Sequence, residues 1–164
     1  GIPTVFNVLG PLSHPGQPRR QLIGAADPAL ADRMVEVFRV NESLHTWVVT
    51  GHSALDEISL TGPTRVVELR DGKVGEWILD PTDLGLSLVD PAELAGGDPE
   101  RNAEITRMLF DGSETGARRD MVALNAGAAL VVAGIADDIA DGLERAMTAI
   151  VDGSAAATLA SITE

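Results

Sequence analysis

Asp56 and Glu57 are the side chains in this sequence best suited to chemistry. They stand in the stretch His52-Ser-Ala-Leu-Asp-Glu-Ile-Ser-Leu60, just after Thr46-Trp-Val-Val-Thr50 and Gly51. An apolar, β-branched run that stops at glycine reads as a buried strand reaching its end. In open α/β sheets, ligands bind just beyond the carboxyl ends of strands. Two hard oxygen donors side by side suit Mg2+, which keeps several waters and often shares its shell with substrate phosphates. On residue type alone the pair reads first as a solvated acidic turn, because adjacent acids are common on surfaces.

The other candidates carry less. His52 lies four residues before Asp56 and could join a metal site, but a loop imidazole explains it equally simply. His14 and His45 stand apart from it, and neither Ser53 nor Ser59 has a Ser-His-Asp arrangement around it. Arg19-Arg20 and Arg118-Arg119 are the adjacent basic pairs. The first could clamp a phosphate, though a solvated pair flanking a strand is the simpler reading. Pro11, Pro15 and Pro18 fall within residues 10–18, so this segment is a semi-rigid loop. It either presents backbone groups to a ligand or merely connects. Gly96-Gly97 lacks the further glycines and helix start of a phosphate cradle and reads as a flexible joint. No Walker, GxGxxG or HExxH motif occurs.

These residues need elements to hold them. Gln21-Leu-Ile-Gly-Ala-Ala26 reads as a short strand. Asp27-Pro28 then starts a helix, with Asp as cap and proline at the first turn. Its buried stripe is expected to be Leu30, Met34, Val37 and Phe38, and Asn41 stops it. Strand, helix and strand 46–50 make a crossover with parallel strands. Thr64–Arg70 and Lys73–Leu79 flank Asp71-Gly72, a strong hairpin signal. A two-residue turn pairs Leu69 with Val74 and Val66 with Trp77, with Trp77 in cross-strand packing. The hairpin is expected to be antiparallel and to lie off the main pattern. Asp80-Pro81 and Asp90-Pro91 open short turns, and Asp98-Pro99 opens a helix over 99–110 carrying Ile105 and Leu109. The last third is helical. One face carries Met121, Leu124, Ala128, Val131 and Val132, and another carries Ile139, Leu143, Met147 and Ile150. Ser154 caps a final short helix, and Asn125 is expected to bond a neighbouring loop. The fold class is therefore α/β, a mostly parallel sheet flanked by helices with an antiparallel hairpin insertion, in a single domain over 1–164.

Composition narrows the partners. The 164 residues suffice for a proper core, and aromatics at 3% leave Leu, Val, Ile and Ala to build it. Twelve basic against twenty-five acidic side chains leave a net charge of −13. This argues against nucleic acid, whose binding rests on Lys and Arg releasing counterions. There is no cysteine, hence no disulfide or thiolate zinc site. No apolar run is long enough to span a membrane, so a cytoplasmic, membrane-free protein is expected. The opening Gly1-Ile-Pro-Thr-Val-Phe6 is already apolar and lacks a Met, and reads as the middle of a longer chain.

Several motifs together resemble anthranilate phosphoribosyltransferase. They are Thr4-Val-Phe-Asn-Val-Leu-Gly-Pro-Leu-Ser-His-Pro15, Gln21-Leu-Ile-Gly24, Val48-Val-Thr-Gly51, Leu55-Asp-Glu-Ile-Ser59 and Gly62. Asp80-Pro-Thr-Asp-Leu-Gly-Leu86, Leu94-Ala-Gly-Gly-Asp98, Leu124-Asn-Ala126 and Gly142-Leu-Glu-Arg-Ala-Met147 continue the series. The resemblance implies a nucleoside phosphorylase and phosphoribosyltransferase type of domain. It also implies transfer of the phosphoribosyl group from phosphoribosyl pyrophosphate to anthranilate, in tryptophan biosynthesis, with Mg2+ as cofactor. It assigns Asp56 and Glu57 to the metal, and Gly10 and Pro11 to the loop lining the anthranilate approach. Members of the family are typically homodimers.

Two departures accompany the resemblance. The family usually has Asn where this chain has His14. The chain also matches only about the second half of the family. The helical N-terminal domain, the Gly-Thr-Gly-Gly-Asp phosphate loop and the upstream arginine that contacts anthranilate have no counterpart in it. The chain alone is therefore expected to be inactive or nearly so. The competing readings are a pyrimidine nucleoside phosphorylase, a nucleic-acid-binding relative and a non-catalytic fragment.

Overall fold

The computed structural model describes residue 10 and residues 12–163. The chain divides into two compact units, Gly1–Asp80 and Pro81–Glu164.

The first unit is the α/β part. It contains β1 (Arg20–Gly24), α1 (Pro28–Val40), β2 (His45–Thr50), β3 (Thr64–Arg70) and β4 (Lys73–Leu79). Asp27 caps α1 by accepting a hydrogen bond from the Ala29 amide at 2.9 Å, and Pro28 takes the first turn, where its missing N–H costs nothing. Asn41 ends the helix, as its position in the sequence predicts. The buried stripe is Ala31, Met34, Val35 and Phe38. The expected Val37 is 37% exposed and Leu30 is half-buried, because the helix is phased on Ala31, a residue too small to stand out in a hydrophobic pattern. This stripe packs on Val48, Val67 and Leu69.

β1 and β2 pair parallel, with Ile23 opposite Val48. Asp71 and Gly72 both adopt positive φ, and the hairpin register places Val66 opposite Trp77 and Leu69 opposite Val74. The strand order is β1-β2-β3-β4. The hairpin does not lie off the main pattern: β3 pairs antiparallel with β2, with Val48 opposite Val67. The sheet of the described residues is thus mixed, with one parallel pair. The reason is elementary, since the free edge of a fully buried β2 needs hydrogen-bond partners and β3 supplies them.

The second unit is helical. A 3-10 turn at Pro81–Leu84 precedes α2 (Pro91–Leu94), α3 (Pro99–Phe110), α4 (Ala117–Ala133), α5 (Ile139–Val151) and α6 (Ser154–Thr163). Asp90 and Glu93 form a capping box on α2, and Asp98 caps α3 through the Arg101 amide. Ile105 and Leu109 are the buried residues of α3. Gly97 is clipped rather than free: its N–H and its carbonyl both bond the Asn102 side chain, at 2.8 and 3.1 Å. α4 and α5 meet on Gly127 and Gly142, where a Cβ on Gly127 would stand 2.6 Å from the Leu143 nitrogen. The Ser154 hydroxyl turns to Asp152 at 2.7 Å and to the Ala149 carbonyl at 3.2 Å, so it ties α6 to the end of α5. Asn125 donates to the Met121 carbonyl, a bond within its own helix.

Candidate functional site

The acidic pair sits on a loop that folds back over the ends of two strands. β2 ends at Thr50, and His52–Ala54 forms a 3-10 turn. Ser53 (φ 58°) and Ala54 (φ 62°) are both left-handed, an uncommon backbone for residues with a Cβ, costing of order 1–3 kcal/mol each. The turn brings Leu55 back to Gly51, whose N–H donates to the Leu55 carbonyl at 2.7 Å. The chain then crosses the carboxyl ends of β1 and β2. A Cβ on Gly24, the last residue of β1, would overlap the carbonyl of Asp56 and stand 2.9 Å from its Cα. A Cβ on Gly51 would overlap the carbonyl oxygen of Glu57.

Both sides of this crest are anchored. The strand ends are tied by Ala25 N–H to the Val49 carbonyl (2.9 Å) and by the Thr50 hydroxyl to the Ala25 carbonyl (2.7 Å). Downstream, Ile58, Ser59 and Leu60 are buried. The Ser59 amide donates to the Thr64 hydroxyl at 3.1 Å, and the Ser59 and Thr61 hydroxyls bond each other at 2.7 Å. Ser59 is therefore a structural hydroxyl.

Asp56 and Glu57 are both exposed, and among the described residues neither carboxylate takes a hydrogen bond or an ion pair. Nor do the described residues gather three or more His, Cys, Asp or Glu side chains around a point. This donor set suits a hard cation held by two carboxylates, with its remaining positions left to waters or phosphate oxygens. It does not suit zinc or another ion that wants three or four side-chain ligands. His52 packs on Gly62 instead, where a Cβ would stand 2.6 Å from its Nδ1.

The remaining sequence candidates separate. Gly10 is exposed, with open space where a Cβ would point, and Pro11 lies outside the described residues. Arg19 is tied to the fold: its Nε and a terminal nitrogen donate to the Glu42 carbonyl just beyond α1, at 3.2 and 2.9 Å. Arg118 donates to the Ala95 carbonyl, and Arg119 pairs with Asp120. A cavity of about 310 Å3, lined by His14, Gln17, Arg19 and Ser43 among others, lies at the amino end of β1. The acidic pair is at the other end of that strand.

The sequence matches the model of a glycosyl transferase family, its a/b domain, over residues 1–156. The chain belongs to this family. Among relatives of this glycosyl transferase domain, the anthranilate phosphoribosyltransferase of Roseiflexus castenholzii is 46% identical over 160 residues, covering 97% of this chain and 47% of the relative. That of Methylobacterium radiotolerans is 46% identical over 161 residues, covering 98% and 46%. The crystal structure of the Thermus thermophilus enzyme superposes with a TM-score of 0.89 at 36% identity, over 98% of this chain and 47% of that one. The Saccharomyces cerevisiae enzyme in complex with PRPP and Mg gives 0.84 at 27% identity, over 97% and 46%. The resemblance read from the motifs thus holds in sequence and in structure, and the chain spans about half the length of the relatives it matches.

One cluster of this glycosyl transferase domain escaped the sequence reading. His45 Nε2 stands 2.7 Å from Glu68 Oε1, and Trp77 Nε1 donates to Glu68 Oε2 at 3.3 Å. Trp47 stacks edge-on to both His45 and Trp77. Its buried indole N–H is directed at the same carboxylate without closing a hydrogen bond of good geometry. Burial pushes the Glu68 carboxyl up, but the indole and imidazole donors and the His45 charge outweigh it and hold it below its ordinary value. Half of the signal was available: alternate residues His45 and Trp47 face one side of β2. The other half, the antiparallel pairing of β3 with β2 that sets Glu68 opposite Trp47, has no local mark in the sequence.

Proposed function

We infer that this chain supplies the metal-binding half of a Mg2+-dependent anthranilate phosphoribosyltransferase. The reaction would join the anthranilate amine to C1 of phosphoribosyl pyrophosphate. The new C–N bond forms as the C1–oxygen bond to pyrophosphate breaks, and the amine releases a proton. Mg2+, when bound, would offset the charge that gathers on the leaving pyrophosphate. Asp56 and Glu57 would hold that cation, directly or through waters. Gly10 and Pro11 would line the approach of anthranilate.

The observation that carries this reading is the acidic pair itself. It lies exposed and unpaired among the described residues, over the carboxyl ends of parallel β1 and β2, within the Leu55–Ser59 motif. That is where an α/β sheet presents its ligands. The sequence carries no glycine-rich pyrophosphate cradle, so the 164 residues alone are expected to give little or no turnover. The test is loss of anthranilate fluorescence with phosphoribosyl pyrophosphate and Mg2+ present. Full activity of residues 1–164 alone would refute the half-site reading.

A further inference from the structure

We propose that Gly24 and Gly51 are positioning residues for the acidic pair. By lacking a Cβ at the ends of β1 and β2, they fix where the two carboxylates stand and so how tightly a divalent cation is held. The proposal rests on the reading of Asp56 and Glu57 as the cation site and adds two residues that touch no ligand.

The contact is backbone on backbone. A Cβ on Gly24 would meet the carbonyl oxygen, the carbonyl carbon and the Cα of Asp56, and one on Gly51 would meet the carbonyl oxygen of Glu57. No side-chain rotation relieves such a clash, so one segment must move. β1 is the less free of the two: Gly24 is in register with Val49, and the buried Ala25 is bonded to Val49 and to Thr50. Among the described residues, the Gly51–Leu55 backbone hydrogen bond ties segment 55–57 to the end of β2, and both acidic residues are exposed. The carboxylates therefore give way. A retreat on the order of 1 Å exceeds the roughly 0.2 Å within which metal–ligand distances are held. Mg2+ is strict in this respect, since it demands near-ideal octahedral geometry. The overlap is deeper at Gly24 than at Gly51, so Asp56 moves more than Glu57.

The experiment measures Mn2+ binding to the 164-residue chain by loss of the free-ion spin-resonance signal, with and without inorganic pyrophosphate. Folding is followed in parallel by circular dichroism and by amide NMR signals. Gly24→Ala is expected to weaken Mn2+ about tenfold or more and Gly51→Ala less, within the range found for residues that orient ligands. The signals of Asp56 and Glu57 should shift, while those of the β3–β4 hairpin stay. Gly75→Ala, in open space on β4, should bind as the parent does. Thr50→Val leaves both glycines in place and removes the hydroxyl tie to the Ala25 carbonyl, which holds the end of β1, and with it Gly24, against β2. It should weaken binding a few-fold with the sheet intact, and it decides the matter if the alanine variants do not fold. Unchanged Mn2+ affinity in a folded Gly24→Ala, or in Thr50→Val where Gly24→Ala does not fold, overturns the positioning role while loss in Asp56→Asn upholds the site. Unchanged affinity in Asp56→Asn and Glu57→Gln overturns the cation site and the inference with it.

Discussion

The two ends of β2 treat carboxylates in opposite ways. At its start, Glu68 lies beside His45 and takes a second hydrogen bond from Trp77, with 23% of its side chain exposed. Beyond its finish, Asp56 and Glu57 are exposed and meet no donor among the described residues. Both carry a charge that must be compensated. Glu68 is compensated inside the fold, where desolvated partners are worth most and an unpaired one costs most. The acidic pair meets no partner among the described residues, which leaves its lone pairs open to a cation. A carboxylate with internal partners serves stability; one seated on glycines, without partners, is available to a ligand.

The sharpest way to break this contrast is at Glu68. Glu68→Ala would strand a buried imidazole and an indole N–H, and about 2 kcal/mol of stability should be lost in urea unfolding. A loss no larger than that of an exposed position would erase the distinction. A smaller effect is expected in acid. The folded Glu68 carboxyl titrates below its ordinary value of 4.5, so the stability it adds is fully present above that value. It fades as pH falls through the lowered folded value. The stability gap between the parent and Glu68→Gln should therefore narrow only below about pH 4.5, and a gap independent of pH would contradict the assignment. The smallest effect belongs to Asp56→Asn and Glu57→Gln. Each should stay within about 0.5 kcal/mol of the parent, as exposed groups without partners do. A marked loss in either would mean that the pair is structural.

Much of this was legible from residue order alone. The Asp-Gly turn, with both residues at positive φ, fixed the hairpin register, and Asp before Pro located the starts of α1 and α3, while the short turn expected after Asp90 is the four-residue helix α2. The position of Asp56 and Glu57 past a buried strand followed from the apolar run and Gly51. What stayed hidden depends on partners distant in sequence. Gly24 and Gly51 look like ordinary strand ends until residues 56 and 57 are laid across them. The clamp of Arg19 on the Glu42 carbonyl spans 23 positions, and nothing local marks it. Val37 was misplaced because an alanine, Ala31, sets the helix phase and adds little to a hydrophobic pattern.

The most direct test of the central claim is a calorimetric titration of the chain with Mg2+, alone and with phosphoribosyl pyrophosphate, against Asp56→Asn/Glu57→Gln. The account predicts binding that strengthens when the pyrophosphate ligand is present and disappears in the double variant. Equal heats for the two proteins would show that the paired acids at the exit of β2 hold no cation.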